Sequence, residues 1–421
     1  MIDCGMFQGK FEETSWNAQK LDIDFEKLSA VVLTHAHLDH CGRLPTLVKY
    51  GFRGPVFMTE ATKAWTELVL RDAAKIASED ENKALYTEDD VDTILGQVEL
   101  VAYDTPFVIG DFRLTMIDAG HILGSASILV EETKTKKKVA FSGDLGNTPE
   151  PLLSPTHWVN SADIAVMEST YGDEIHGTRQ EIDQLMEIVG QAQMEGGTVL
   201  IPSFSLQRSQ ELLYIFDQLK KEGKVSNDLP VFLDSPMAIK ATEIFKDFPS
   251  LYSKPVQTQA KSDDPFDFPN LFLCDTMEKS RQIKNYLGAK VIIAGSGMMG
   301  GGRIIHHASN FLGDPKTQLV FVGFQAEGTL GRQIQDGKKT LNIMGNQVMV
   351  RAQLREIKTM SSHADQGQLL TWLKKIEGLK EVYLVHGEEL PRLVLTEKIK
   401  LEIPGTKVIL PTINQEIELK V

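Results

Sequence analysis

Apolar residues recur along this chain in two rhythms, and the change from one to the other marks out its elements. Val31-Val32-Leu33-Thr34 is a short β-branched run, which predicts a buried strand, and Gly42-Arg43-Leu44-Pro45 opens the element after it. Residues 60–78 carry apolar side chains at helical spacing (Ala64, Leu68, Ala74). Thr87-Glu88-Asp89-Asp90 offers a capping hydroxyl and an acidic first turn, so a second helix is expected to begin there. From 98 to 145 the rhythm shortens to alternating strands at 98–103, 112–118, 125–131 and 139–143. Beyond 173, strands and helices alternate. A strand at 197–204 leads to a helix at 207–222 with Leu212, Leu213, Phe216 and Leu219 on one face, and further strands follow at 231–233 and 291–294. That alternation favours a parallel sheet, so the fold class is α/β. Residues 360–365 and 382–387 read as strand-to-loop joints, with a helix starting over 366–373 between them.

With 421 residues the chain is long enough for two cores. No apolar run reaches the length of a membrane span and the first residues lack a signal-peptide pattern, so a membrane is not an expected partner. Cys4, Cys41 and Cys274 are too few and too scattered for a disulfide framework, which points to a cytoplasmic location. The net charge of −14 argues against a broad nucleic-acid groove, because such affinity comes from cations neutralising phosphates. It leaves room for a narrow catalytic slot in which bound metal ions add positive charge. The acidic stretches at 78–81 and 88–92 read as solvated faces.

The candidate chemistry concentrates in Thr34-His35-Ala36-His37-Leu38-Asp39-His40-Cys41. At the end of an extended segment, residues two apart point the same way, so His35 and His37 can grip one cation. If a helix follows, Asp39 and His40 face the far side of that cation, where a second could sit. Imidazole and carboxylate are ligands that suit zinc. His121 and Asp144 terminate later strands beside Gly120 and Gly143 and are candidates to join the cluster. Three β–α joints further on could meet an anion. In the first, Ser205 is a natural N-cap and Arg208 lies in a first helical turn, where a cation opposes the macrodipole unless an anion or Glu211 pairs with it. The second is Asp234-Ser235-Pro236. The third runs from Gly295 to Arg303, and its glycines let backbone N–H groups approach a phosphate. Ser205, Arg208, Ser235, Ser296, Gly297, Gly300 and Arg303 are thus candidate substrate contacts. The spacing fits neither a dinucleotide fingerprint nor a Walker loop. His306 and His307 read as structural or substrate-contact residues, and His157 and His176 carry no motif.

The series His35-x-His37-x-Asp39-His40, His121, Asp144 resembles the signature of the metallo-β-lactamase fold. Glu168-Ser169-Thr170-Tyr171-Gly172-Asp173, Ser361-Ser362-His363-Ala364-Asp365 and Val385-His386-Gly387-Glu388 extend the resemblance to the β-CASP nucleases. These are RNA-processing hydrolases related to the nuclease subunit of the cleavage and polyadenylation specificity factor. The match covers nearly the whole chain in order and looks most like stand-alone bacterial and archaeal members. It implies a metallo-β-lactamase αββα sandwich, residues 1–172 and 354–421, interrupted by an inserted α/β β-CASP domain, residues 173–353, with a mainly parallel sheet. Family members usually begin with one more β-hairpin. The start is therefore expected to be truncated or assigned downstream, with an uncovered sheet edge beside the site.

The resemblance also implies roles. His35, His37 and His121 would hold one zinc, Asp39, His40 and His386 a second, with Asp144 bridging. Asp39, Glu168 and His363 form the catalytic group: His363 is the general acid, oriented and kept protonated by Glu168. Asp3 and Asp365 would orient ligands from behind. The implied activity is two-metal hydrolysis of phosphodiester bonds in single-stranded RNA, endo- or exonucleolytic, with a homodimer compatible with the reading. RNA is preferred to DNA because the DNA-acting branch typically carries an aliphatic residue where His386 stands. Two alternatives are a zinc hydrolase of a small ester or thioester, which predicts no phosphate-binding loops in the insertion, and a non-catalytic partner subunit, which predicts missing ligands.

Overall fold

The computed structural model describes residues 1–7, 15–78, 84–177 and 180–419, and these divide into two compact units. The expected acidic stretch at 79–81 lies outside the described residues, whereas Ser78, Glu88, Asp89 and Asp92 are exposed.

The first unit comprises Met1–Met6, Asn17–His176 and Ser362–Val421. Its β-branched run forms the strand Val31–Val32, which pairs in parallel with Val56–Met58, itself parallel to Val98–Leu100. Met1–Asp3 lies along the other side of Val31–Val32, with Val32 N–H donating to Met1 O and Asp3 N–H to Val32 O. The segment carrying Asp3 is therefore the outermost one of this sheet among the described residues. A second sheet runs in the order Lys407–Ile409, Glu381–Leu384, Ile164–Met167, Lys138–Phe141, Ala126–Glu132, Phe112–Asp118, Phe107–Ile109. Val32 and Phe57 from one sheet share a core with Leu114, Met116, Ala126 and Ile128 from the other. The helices Gln366–Lys374 and Glu389–Glu402 bury Leu369, Trp372, Leu373, Leu395 and Ile399 against Ala140, Ala165, Met167 and Val382. On the opposite side, the helix Glu60–Ser78 packs against Val98–Leu100 and buries Trp65, Val69 and Leu70. Two helical layers thus enclose two sheets, the αββα arrangement.

The second unit comprises Gly177–Ser361 with the described residues of Phe7–Trp16. Its main sheet is parallel throughout, in the order Leu271–Leu273, Val231–Asp234, Lys290–Ala294, Thr198–Pro202, Gln318–Phe321, Gln353–Glu356. Every residue of Thr198–Pro202, Val231–Asp234 and Lys290–Ala294 is buried, which explains why these read as continuous apolar runs rather than alternating ones.

Several elements depart from expectation. Gln353–Glu356 pairs with Gln318–Phe321, so the insertion's sheet continues past the expected return at 353. The segment at 360–365 is no strand: the 3-10 turn Lys358–Met360 leads into a loop. Strand Val98–Leu100 stops three residues early, and Phe107–Ile109, half-exposed and only three residues long, gave too little apolar signal to be expected. The helix after Pro202 is Arg208–Lys221, with Gln207 rather than Ser205 at the N-cap.

Candidate metal centre

The histidine cluster is set by backbone contacts before any side chain is considered. After Val31–Val32 the chain runs extended to His37, the N-cap of the short helix Leu38–Cys41 that carries Asp39 and His40. Cys4 N–H donates to His40 O and Met6 N–H to Leu38 O, so residues 4–6 press on that helix. Only glycine fits at position 5, because a Cβ there would lie 1.5 Å from Asp39 O. His121 follows the strand Phe112–Asp118 in a turn held by two side chains. Asp118 Oδ1 accepts from Gly120 N–H, and Ser125 Oγ accepts from His121 N–H and Ile122 N–H. Gly146 lies so close to this turn that a Cβ would come within 1.9 Å of Gly120 O, which brings the loops of His121 and Asp144 together. The returning segment docks through Ala364 N–H to Leu145 O and Asn147 N–H to Ser362 O for His363, and Ser169 N–H to His386 O for His386.

His35 Nε2 and His121 Nε2 lie 3.1 and 3.2 Å from His37 Nδ1, and 3.4 and 3.6 Å from Asp144 Oδ2. Asp144 Oδ1 faces the other way, 3.3 Å from His40 Nε2 and 3.7 Å from His386 Nδ1. Asp39 Oδ2 is 3.3 Å from His386 Nε2. His40 Nε2 and both Asp144 oxygens are buried without a hydrogen-bond partner among the described residues. A buried polar atom in that state is costly unless something completes it. The four separations among His35, His37, His121 and Asp144 are close to the edge of a tetrahedron around a zinc ion, about 3.3 Å for bonds near 2.05 Å. The residues present fit one cation among His35, His37, His121 and Asp144 and another among Asp39, His40, His386 and Asp144.

Further contacts fix the rings. Asp3 Oδ2 accepts from His40 Nδ1 at 2.7 Å and from Thr34 Oγ1 at 2.8 Å, so it turns His40 Nε2 toward Asp144. Thr34 Oγ1 also lies 3.0 Å from His35 Nδ1. His121 Nδ1 donates to Ser362 O, and Thr170 Oγ1 is 3.1 Å from His386 Nδ1. Thr34, Ser362 and Thr170 were not identified from sequence; the first two each precede a motif histidine and Thr170 lies two residues after Glu168, but nothing local reveals which ring each will meet.

Burial, followed by the neighbouring charge of His35, pushes His37 down to about 3. Burial first also lowers His35 and His121, so these rings are neutral with lone pairs available. Burial opposes the charge of His386 too, yet Asp144 and the hydrogen bond to Asp39 outweigh it and raise this ring to about 9. His40 is raised in the same way by Asp144 and Asp3 against its burial. Burial pushes Asp144 upward, but His386, His40 and His35 together hold it well below the usual carboxylate range. His363 Nδ1 lies 3.1 Å from Glu168 Oε2 and 3.9 Å from Asp144 Oδ2. Burial lowers His363, but the Glu168 charge and hydrogen bond overcome it, so the ring is held protonated above its ordinary range. Glu168 is 1 % exposed and accepts from Leu145 N–H and Thr170 N–H.

Asp365 differs from its expected role as a ligand-orienting group. Its carboxylate accepts from Gln368 N–H, capping Gln366–Lys374, and from His176 N–H, so it anchors the loop behind His363.

In the inserted unit, Ser205 and Ser235 meet, their hydroxyls 3.2 Å apart, and Ser235 caps Pro236–Lys246. Gly300 N–H donates to Ser296 Oγ. The cations read as anion contacts are otherwise engaged. Arg208 is buried and its guanidinium donates to Glu211, while Arg303 donates to Asp234 and to the carbonyls of Cys274 and Asp275. Gly297 serves packing: a Cβ there would strike the Phe204 ring at 2.5 Å.

Comparison with known proteins gives three matching family models: a Beta-lactamase superfamily domain over residues 1–201, a Beta-Casp domain over 209–334, and a Zn-dependent metallo-hydrolase RNA specificity domain over 347–411. Ribonuclease TTHA0252 of Thermus thermophilus is 38% identical over 404 residues, covering 95% of this chain and 90% of that protein. Transcription termination factor FttA of Methanocaldococcus jannaschii is 31% identical over 402 residues, covering 92% of this chain and 63% of that protein. The chain thus spans less than two thirds of that archaeal relative. A crystal structure of a protein of unknown function from Enterococcus faecalis shares the fold, with a TM-score of 0.53, 15% identity, and coverage of 93% of this chain and 81% of that one.

Proposed function

This chain belongs to the β-CASP family of the metallo-β-lactamase superfamily, and on that premise we propose that it is a zinc-dependent ribonuclease hydrolysing phosphodiester bonds of single-stranded RNA in the cytoplasm. The observation that carries the reading is the carboxylate of Asp144, buried, without a hydrogen-bond donor, and turned by one oxygen to His35 and His121 and by the other to His40 and His386. Its two oxygens would let it be shared by two zinc ions, which His35, His37 and His121 on one side and Asp39, His40 and His386 on the other would hold. When bound, the ions supply Lewis acidity that acidifies water and neutralises charge gathering on the phosphoryl oxygens.

The chain's own residues supply the rest. Asp3, Thr34, Thr170 and the Ser362 carbonyl hold the rings in register. His363 keeps a proton on Nδ1 against Glu168 and delivers the proton of Nε2 to the departing sugar oxygen, which could not leave readily as an alkoxide. Glu168, itself fixed by two backbone N–H groups, stops the ring from turning and favours its charged form. No helix among the described residues is long and apolar enough to cross a membrane.

The test is zinc-loaded protein incubated with RNA labelled at either end, beside His363→Ala. The reading expects cleavage by the wild type and a deep loss in the variant. Cleavage of a thioester but not of RNA would overturn it.

A further inference from the structure

Away from the metal centre, the inserted unit holds a cavity of about 250 Å³ between Met277–Gln282, with the 3-10 turn after it, and the helix Arg303–Phe311. Its wall includes Ser280, Arg281, Lys284, His306, His307 and Asn310, and among the described residues no carboxylate lines it. In a chain with a net charge of −14, a hollow bordered by two cations and two imidazoles with no acidic side chain stands apart. Arg281 and Lys284 are exposed and form no ion pair among the described residues.

Behind the wall the arrangement is built rather than incidental. Asp234 is fully buried at the end of its strand and accepts from Arg303, Ser280 and His307, the last through Nε2 at 2.6 Å. That bond fixes the His307 ring, which is 2 % exposed, and leaves Nδ1 buried with no partner among the described residues. A buried nitrogen in that state is stabilised by a ligand or water that completes its hydrogen bonding. Asn310 adds an amide, and Arg281 adds a planar fork suited to two oxygens at once.

We propose that this cavity is a phosphate-binding site, with Arg281 and Lys284 supplying charge and His307, whose Nε2–H is given to Asp234, presenting Nδ1 as an acceptor to a P–OH or to a water that bridges to the phosphate. The phosphate belongs either to an RNA backbone or to a small free phosphate. The RNA alternative rests on the ribonuclease reading, whereas the phosphate site itself does not.

The zinc-loaded chain is compared with Arg281→Glu/Lys284→Glu, two exposed positions whose substitution leaves the Asp234 network intact. Two probes are used, inorganic phosphate followed by the rise in melting temperature, and a labelled 12-nucleotide single-stranded RNA followed by anisotropy in a His363→Ala background. For backbone phosphate, the double variant weakens RNA at least fivefold at low salt and flattens the slope of log affinity against log salt by about 1 to 2. Bound zinc is unchanged. For a free phosphate, RNA affinity stays the same but the phosphate-induced stabilisation shrinks in the double variant. If both probes behave as in the parent, the proposal is overturned. If the chain cuts no RNA while the phosphate response still depends on Arg281 and Lys284, only the ribonuclease reading falls.

Discussion

At the scale of single residues, His363 and Asp118 show the same force with opposite consequences. Burial opposes the charge on His363, but Glu168 supplies enough negative potential to keep the proton on. His363→Ala is expected to lower kcat by about 10²- to 10⁴-fold, the usual worth of a positioned acid. Metal analysis should find the zinc content unchanged, since this ring is not assigned as a ligand. Because the pKa is raised, activity should persist above the ordinary histidine range and fall as pH climbs through the raised value. Glu168→Gln removes the charge that raises it, so the alkaline limb of kcat/KM should move to lower pH, and an unmoved limb would remove Glu168 from this role. At Asp118 burial wins: as the largest influence it pushes the carboxyl to about 6, only partly offset by the hydrogen bond from Gly120 N–H and the charge of His157. A carboxyl raised in the folded state contributes most below its unfolded value and loses that contribution as pH rises through the folded one. Stability should therefore fall between about pH 4 and 6. Asp118→Asn keeps an acceptor for Gly120 and removes the charge, so it should stabilise the chain at pH 8 by on the order of 1–2 kcal/mol, discounted for partial exposure. Thermal unfolding at pH 8 and pH 4.5 checks this, with the gain expected only at the higher pH.

Among the elements, legibility followed locality. The strand-to-helix joint at His35–His40 could be read because its candidate ligands sit within six consecutive residues, and their direction follows from strand and helix geometry. The parallel sheet of the insertion was equally plain, since its central strands are apolar throughout. Arg303 was misread for the opposite reason. Glu211 was a visible alternative for Arg208, but Asp234 lies 69 residues from Arg303 and meets it only once the sheet has formed. His121 and Asp144 were candidates from their place at strand ends and His386 from resemblance alone, because the contacts that bring their loops together are backbone approaches without a side-chain signature. One such approach gives a test. Gly146→Ala would place a Cβ 1.9 Å from Gly120 O, so the loops of His121 and Asp144 must separate. The expected result is loss of at least one zinc per chain with the inserted sheet still folded. Full zinc content in this variant would show that the two loops reach the centre independently.

Over the whole molecule, the candidate ligands come from both ends of the first unit. Residues 35–40, 121, 144 and 386 meet at one point, and Asp3 supports it from the opening segment. The metal-free chain holds this point together with buried charge: His40 and His386 carry protons and face an ionised Asp144. Cation binding must displace those protons, so apparent zinc affinity should rise as pH increases toward the value of about 9 for His386. It should keep falling as pH drops below that value, because His386 and His40 hold their protons more firmly. Binding to the folded chain alone also adds stability by mass action, about 2.7 kcal/mol at a free concentration 100 times Kd. Chelation should therefore lower the melting temperature, and its effect should be uneven. Amide exchange should speed up around 35–42, 119–125, 143–147, 361–365 and 385–388, where the loops converge. Thr198–Pro202, Val231–Asp234 and Lys290–Ala294 should stay protected, since their sheet is closed by its own core. Equal loss of protection in both units would mean that the chain unfolds as one body. Unchanged exchange in the five loops would mean that hydrogen bonds and packing hold the centre without a cation, and would undercut the assignment of Asp144 as a bridge.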